Sequence, residues 1–143
     1  MEARLLYIRE NEMNNNLSSI LNAVNMKDVR FFILVEIKPI QDDSMPMING
    51  LKEIRLNKVN DKIEDWFTEN LPNKINFELS VFEGKPTKEK PPVSLKGIKK
   101  LFVFIDSSND IRIVPFLKAQ LSPEEIVFFQ INDLEKIDLP LRN

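Results

Sequence analysis

Two residues near the end of the most apolar stretch of the chain have side chains suited to hydrolytic chemistry. Glu36 and Lys38 lie in VRFFILVEIK at residues 29–38, whose apolar run predicts a strand buried on both faces. Side chains alternate along a strand, so both residues point to one face. A carboxylate there could help to hold Mg²⁺. A lysine beside the attacking water could stabilise the charge that develops during phosphodiester cleavage.

The segment LVEIKP resembles the E-x-K half-motif of the PD-(D/E)xK nuclease superfamily. The resemblance implies a metal-dependent nuclease or phosphodiesterase with Glu36 and Lys38 as its catalytic residues. That family takes a further acid from a preceding strand. Asp28 is at the far end of the same strand, about 26 Å away at about 3.3 Å per residue, so Glu10 or Glu12 would have to serve. The alternative, which we adopt, is a charged strand end with no catalytic role.

A second candidate site is the polar run that follows LFVFID at 101–106, a predicted buried strand. Asp106, Ser108 and Asp110 offer carboxylate and hydroxyl oxygens that suit a hard cation or another ligand. DSSND resembles the D-x-S-x-S metal loop of von Willebrand A-type domains, with Asp110 in the place of the last serine. The alternative is a turn in which these side chains bond their own backbone, and we expect no metal or cofactor.

Two loops offer binding residues of other kinds. Lys88 and Lys90 lie in a loop rich in lysine and proline at 84–97 and could contact phosphates, but the loop has no aromatic residue to stack on bases. Met45, Met47 and Ile48 lie in a predicted loop at 39–50. They could form an adaptable apolar surface for a partner.

Composition excludes several classes of function. The 143-residue chain has no histidine and no cysteine, which removes imidazole catalysis, thiolate nucleophiles and Cys/His zinc sites. A net charge of −2 argues against a dedicated nucleic-acid binder. No stretch has the apolar length of a membrane span and the N-terminus lacks a signal-peptide pattern, so we expect no membrane partner and a cytoplasmic protein.

The periodicity of apolar residues predicts the elements that position these sites. Helices are expected at 14–25, with an N-cap from the asparagines at 14–16, and at 58–71, where Pro72 stops the helix. Strands are expected at 3–9, for which the start of a helix is the alternative, at 51–56 at a sheet edge, and at 75–82 and 126–131. After residue 106 we favour a hairpin with IRIV at 111–114, followed by a short helix through Leu121 that Pro115 opens. The alternative is a helix capped by SSND that runs to Leu121, in which Pro115 would cost about 3 kcal/mol. A helix beginning at Ser122 is the alternative to the last strand.

These elements predict a single domain over 1–143 of α/β (or α+β) class, with a mixed sheet of about five or six strands and two to three helices. The function expected is a small non-catalytic domain that binds another protein. The alternatives are the metal-dependent nuclease or phosphodiesterase and a nucleotide- or nucleic-acid-binding accessory domain. The predicted core comprises Leu17, Ile20, Leu21, Phe32, Leu34, Ile63, Trp66, Phe67, Phe77, Leu79, Phe102 and Phe104.

The chain is expected to fold without a metal ion, because it has no zinc ligands of the usual kind and enough residues to bury a core of its own. The midpoint of thermal unfolding should therefore be the same with and without EDTA. A large fall in the midpoint on chelation would contradict this and would support a cation site at Asp106–Asp110.

Overall fold

A computed structural model shows the architecture of the chain. It describes residues 2–14, 17, 21, 29–38, 51–71, 75–83, 93–105, 113–131 and 136–137. The strands are β1 (Glu2–Arg9), β2 (Arg30–Ile37), β3 (Glu78–Glu83), β4 (Lys100–Ile105), β5 (Ile126–Gln130) and β6 (Lys136–Ile137). The α-helices are α1 (Leu51–Asn70) and α2 (Val114–Lys118), and single 3-10 turns span Glu10–Glu12 and Pro123–Glu125.

The six strands form one sheet in the order β3-β2-β1-β4-β5-β6. β1 to β5 all run parallel to one another, whereas β6 pairs antiparallel with β5. The predicted α/β class and mixed sheet are therefore confirmed. No helix in the described part of the chain has the length and hydropathy that crossing a membrane requires.

The centre of the sheet is built from the most apolar strands. Every residue of β2 from Phe31 to Ile37 is buried, and β1 is almost as fully covered. Leu5 of β1 pairs with Phe32 on one side and with Val103 on the other. Strands that are buried on both faces need a continuous run of apolar side chains, which is the pattern of FFILV in β2.

Two groups of buried side chains cover the two faces of the sheet. On the face that we call the α1 face, Leu6 and Ile8 of β1 share a cluster with Ile63 and Phe67 of α1. On the opposite face, the α2 face, Leu5 and Tyr7 share a cluster with Leu95 and Ile98, which precede β4, and with Phe116 and Leu117 of α2. The sheet is therefore covered by helical segments on both sides.

The first crossover connection, between β1 and β2, also lies on the α1 face. Its two described residues, Leu17 and Leu21, are helical, buried and one turn apart. The side-chain oxygen of Asn14 accepts a hydrogen bond from the backbone N–H of Leu17 at 3.1 Å, as the predicted N-cap requires. The other residues of the predicted 14–25 helix lie outside the described ranges.

The strand order reverses direction at β1. From β1 the chain proceeds to β2 and β3 on one side, and then returns to β4 and β5 on the other. The connections on the two sides cover opposite faces, which makes this a doubly wound sheet with a switch point between β1 and β4. In such sheets, ligands bind beyond the carboxyl ends of the strands near the switch point.

The predicted edge strand at 51–56 is wrong, because these residues form the first turns of α1. Leu56, Val59, Ile63 and Phe67 follow one another at helical spacing and all contact the α1-face cluster. The alternation of LKEIRL is a short coincidence, and its lysine, glutamate and arginine are good helix formers. The helix ends at Asn70, one residue before the predicted end and two residues before Pro72.

The predicted hairpin after β4 is also wrong where the structure describes it. Ile113 and Val114 belong to the helical turn at α2, and β4 already has parallel neighbours on both sides. The predicted role of Pro115 is confirmed, since it lies in the first turn of α2, where its missing N–H is not needed. The 122–131 segment combines both alternatives: one 3-10 turn over Pro123–Glu125 leads directly into β5.

The predicted core is confirmed wherever it is described. Buried positions are Leu17, Leu21, Phe32, Leu34, Ile63, Phe67 and Phe104. Half-buried residues packed against the α1-face cluster are Trp66, Phe77, Leu79 and Phe102. Ile20 lies outside the described residues.

Substitutions within α1 test this assignment of faces. Phe67 is fully buried and contacts Trp66 and Phe77, so Phe67→Ala should lower the free energy of unfolding by about 3–5 kcal/mol. Ile54 on the same helix is 54% exposed, and Ile54→Ala should change stability by less than about 0.5 kcal/mol. Equal losses in urea denaturation would show that the face of α1 is misassigned.

Candidate functional site

A buried carboxylate lies at the carboxyl end of the two central strands. Glu36 is 7% exposed and is the one charged residue that is buried in the described part of the chain. The hydroxyl of Tyr7 donates a hydrogen bond to Glu36 Oε1 at 2.5 Å. Arg9 Nε lies 3.8 Å from Glu36 Oε2, within ion-pair distance. Each carboxylate oxygen of Glu36 therefore faces a donor from β1.

Parallel pairing in register brings this group together. Arg9 pairs with Glu36, and Glu36 pairs with Phe82, so the three residues form a row across β1, β2 and β3 on the α2 face. Tyr7 lies two residues before Arg9 and points to the same face. The ring of Phe82 stacks against that of Tyr7 at 6.3 Å between centroids, which covers the apolar side of the network.

Arg9 also contacts a second carboxylate. Glu12, in the 3-10 turn after β1, lies 3.7 Å from Arg9 Nη1 through its Oε1. The same oxygen accepts a hydrogen bond from the backbone N–H of Arg9 at 3.2 Å. The guanidinium therefore interacts with Glu12 and Glu36 together, and the turn after β1 holds Glu12 in place.

The negative charge of the Glu36 carboxylate is compensated by its neighbours. A charge that is out of contact with water is tolerated only when it is paired and hydrogen-bonded, and Tyr7 and Arg9 meet that need. No group of three or more Asp or Glu side chains close enough for a metal ion occurs among the described residues. The arrangement stabilises a charged strand end and joins β1 to β2.

The two residues of the E-x-K half-motif have different environments. Glu36 is enclosed, whereas Lys38 follows the end of β2 and is exposed. Of the two acids that could have completed the site, Glu12 is linked to Glu36 through Arg9, and Glu10 is exposed. Arg9 therefore lies between Glu12 and Glu36, whereas the E-x-K half-motif contains no arginine.

The other predicted site residues lie outside the described ranges: Met45, Met47 and Ile48 of the apolar loop, Lys88 and Lys90 of the lysine loop, and Asp106, Ser108 and Asp110 after β4. The strand that precedes Asp106 in the chain is β4. Its last residue, Ile105, pairs with Tyr7 of β1, so β4 ends beside the strand that carries the Glu36 network.

The sequence contains no phosphate-binding turn at the switch point. Doubly wound domains that bind dinucleotides carry a glycine-rich turn after the first strand. Residues 10–29 of this chain contain no glycine, and Glu10–Glu12 form an acidic turn there instead. Negative charge next to a phosphate is unfavourable, so this connection is unsuited to a nucleotide pyrophosphate.

Tyr7, Arg9 and Phe82 are the members of the network that the sequence analysis missed. The signal for Tyr7 and Arg9 is weak, since they are two polar-tipped residues at alternate positions in a strand that also contains Glu2 and Arg4. Their partnership with Glu36 depends on the register of β1 against β2, which no local pattern specifies.

Comparisons with known proteins give no relative. No protein-family model matches the chain, and neither the curated proteins nor the solved structures contain a significant match. The site must therefore be interpreted from its own geometry.

The Tyr7–Glu36 hydrogen bond should contribute strongly to stability, because the acceptor is charged and buried. Tyr7→Phe should lower the free energy of unfolding by about 1.5–3 kcal/mol. In a double-mutant cycle with Glu36→Gln, the two losses should be clearly less than additive.

The matched control is Glu78→Gln, which removes a carboxylate paired with Arg30 at the surface and should cost about 0–1 kcal/mol. Additive losses in the cycle, or a control that costs as much as Tyr7→Phe, would contradict the coupling. Chemical denaturation monitored by circular dichroism provides the values.

Proposed function

We propose that the protein is a small non-catalytic domain that binds another protein, as a subunit, an inhibitor or a regulatory module. The observation that carries this proposal is the internal use of Glu36. The carboxylate that the sequence offers for metal chemistry accepts a hydrogen bond from Tyr7 and faces Arg9.

Recruiting Glu36 to a metal would be costly. A divalent ion gives up part of a strongly held water shell only when several anionic oxygens converge on it. Glu36 would also have to leave Tyr7 and Arg9, and breaking a buried pair leaves groups without their partners. Without histidine or cysteine, the chain has no imidazole or thiol to replace it.

Charge also supports binding of a protein over binding of nucleic acid. The net charge of −2 supplies no basic excess for a phosphate backbone. The turn after β1 is acidic, with Glu10 and Glu12 at the end of the sheet where a ligand would bind. We therefore expect a partner to bind this domain through apolar contacts and through basic groups that the partner supplies.

The competing candidate, a metal-dependent nuclease or phosphodiesterase, retains one supporting observation. Glu12 and Glu36 interact with the same guanidinium, so displacement of Arg9 would leave two carboxylates with Lys38 following one of them. This candidate predicts activity that the non-catalytic proposal does not.

Hydrolysis assays separate the two candidates. Purified protein with Mg²⁺ or Mn²⁺ should not cleave DNA, RNA or cyclic nucleotides, because Glu36 is already paired within the protein. Assays should run well below the melting temperature, with Glu36→Gln and Lys38→Ala as controls for contaminating enzymes. Metal-dependent cleavage by the wild type that disappears in both variants would overturn the proposal.

The binding function needs its own experiment. A partner captured from an extract of the source organism should form a complex of defined stoichiometry with the purified chain, measured by calorimetry and light scattering. Failure of every captured candidate to bind in purified form would contradict the proposed function.

A further inference from the structure

Arg4 of β1 has a buried nitrogen for which the described residues provide no acceptor. Its Nη1 atom is the one buried side-chain nitrogen or oxygen in the described part of the chain that lacks a hydrogen-bond partner. The side chain as a whole is half-buried and extends over the ring of Phe102, with 4.3 Å between the guanidinium carbon and the ring centroid. The aromatic face compensates part of the charge but gives Nη1 no acceptor. A buried donor without an acceptor is costly, so its retention needs a reason other than packing.

The other two arginines of the described strands have carboxylate partners. Arg9 faces Glu36, and Arg30 binds Glu78 at 2.7 Å. Arg4 has no such ion pair with any described residue. The uncompensated guanidinium is therefore a particular property of this position and not of arginines in this sheet.

A second cation lies on the same face of the sheet. Glu2 pairs with Lys100 and Arg4 pairs with Phe102 in the parallel register, so Lys100 is diagonal to Arg4. Alternation places both cations on the α1 face, and Lys100 is half-buried. Spacings of about 4.8 Å between strands and about 3.3 Å per residue put the two Cα atoms roughly 8 Å apart. Both side chains are long enough to reach one anion that lies between them.

The local charge also favours an anion. Among the described residues at the amino ends of β1 and β4, positions 2–4 and 96–100 carry four basic side chains and one acidic side chain. The acid is Glu2, which is exposed and forms no ion pair with a described residue. The positive charge at this end of the two strands is therefore not neutralised within the described part of the chain.

Apolar side chains continue from Arg4 across the sheet. Phe102 pairs with Val127 of β5, and in the next row Phe104 pairs with Phe129. Phe102, Val127 and Phe129 are half-buried, and the rings of Phe102 and Phe129 lie 6.0 Å apart. The two cations thus border an apolar surface that is partly covered. A ligand that matches both features has an anionic group attached to an apolar body.

We propose that Arg4 and Lys100 bind the carboxylate of a small organic acid whose apolar part lies against Phe102 and Val127. The guanidinium turns so that Nη1 donates to one carboxylate oxygen, and the ammonium of Lys100 approaches the same group. The planar fork of an arginine matches the two oxygens of a carboxylate. This site lies at the opposite end of the strands from Glu36, and the inference goes beyond the proposed binding of a partner protein and does not depend on it.

Titration of the full chain with benzoate tests the site. Acetate is the carboxylate without a large apolar body, and inorganic phosphate is the other common oxyanion. In ¹H–¹⁵N NMR spectra at constant ionic strength, benzoate should shift the side-chain Nε–H signal of Arg4 and the backbone amides of residues 2–6 and 100–104. Benzoate should bind about tenfold more tightly than acetate, because its ring removes additional apolar surface from water.

Variants of the two cations show whether the proposed residues hold the acid. Arg4→Met keeps an unbranched side chain over Phe102 and should weaken benzoate binding at least about tenfold. Arg4→Lys keeps the charge without the fork and should bind with intermediate affinity. Lys100→Gln should weaken binding about two- to fivefold.

Two further variants control for the charge of the surroundings. Glu2→Gln removes the nearest described carboxylate on the same face and should tighten benzoate binding about two- to fivefold. Lys62→Gln removes one positive charge at an exposed position of α1 and should leave the affinity unchanged. Thermal unfolding without ligand confirms that each variant is folded before it is titrated.

The proposal fails if none of the anions shifts the Arg4 signal, or if Arg4→Met and Arg4→Lys both bind benzoate as tightly as the wild type. Tighter binding of phosphate than of benzoate would assign the cations to a phosphate group and overturn the organic acid. Shifts of equal size with all three anions, or equal losses in Lys100→Gln and Lys62→Gln, would show an adventitious ion only.

Discussion

Parallel pairing of β1 on both sides is the constraint from which most of the architecture follows. β1 lies between β2 and β4 and runs in the same direction as both. Parallel neighbours cannot be joined by tight turns, so each connection has to cross a face of the sheet. Because the strand order reverses at β1, the connections cover opposite faces and bury β1 between two clusters of side chains.

The same pairing explains why a charged residue is tolerated in the centre of the sheet. Glu36 is opposite Arg9 and diagonal to Tyr7, so β1 supplies both of the partners that compensate its charge. Such a network specifies the register of the strands as well as stabilising them, because a slip of one residue would separate Glu36 from both donors. The residue that most resembles a catalytic acid is therefore accounted for by the packing of the sheet.

The two edges of the sheet differ in the length of their strands. At one edge, the two-residue strand β6 pairs antiparallel with β5 and protects the parallel strands. At the other edge, β3 is six residues long, half-buried and bounded by Glu78 and Glu83.

The sequence by itself determined the elements whose patterns are long and consistent. The apolar run in β2, the helical stripe of Ile63 and Phe67 and the buried LFVFI of β4 identified the α/β class and the core, since burial leaves a direct trace in residue type. Short segments were ambiguous. LKEIRL was predicted as a strand but forms the start of helix α1. IRIV was predicted as half of a hairpin, but its last two residues belong to the start of helix α2.

Only the tertiary structure decided strand order, register and the surroundings of Glu36. Tyr7 and Glu36 are separated by 29 positions in the chain, and their hydrogen bond exists because two strands pair in one of several registers that local patterns allow equally. The position of β3 at an edge likewise depends on where the chain crosses the sheet after β2. Residue types report what is buried, whereas pairing is decided by the free energy of the whole assembled sheet.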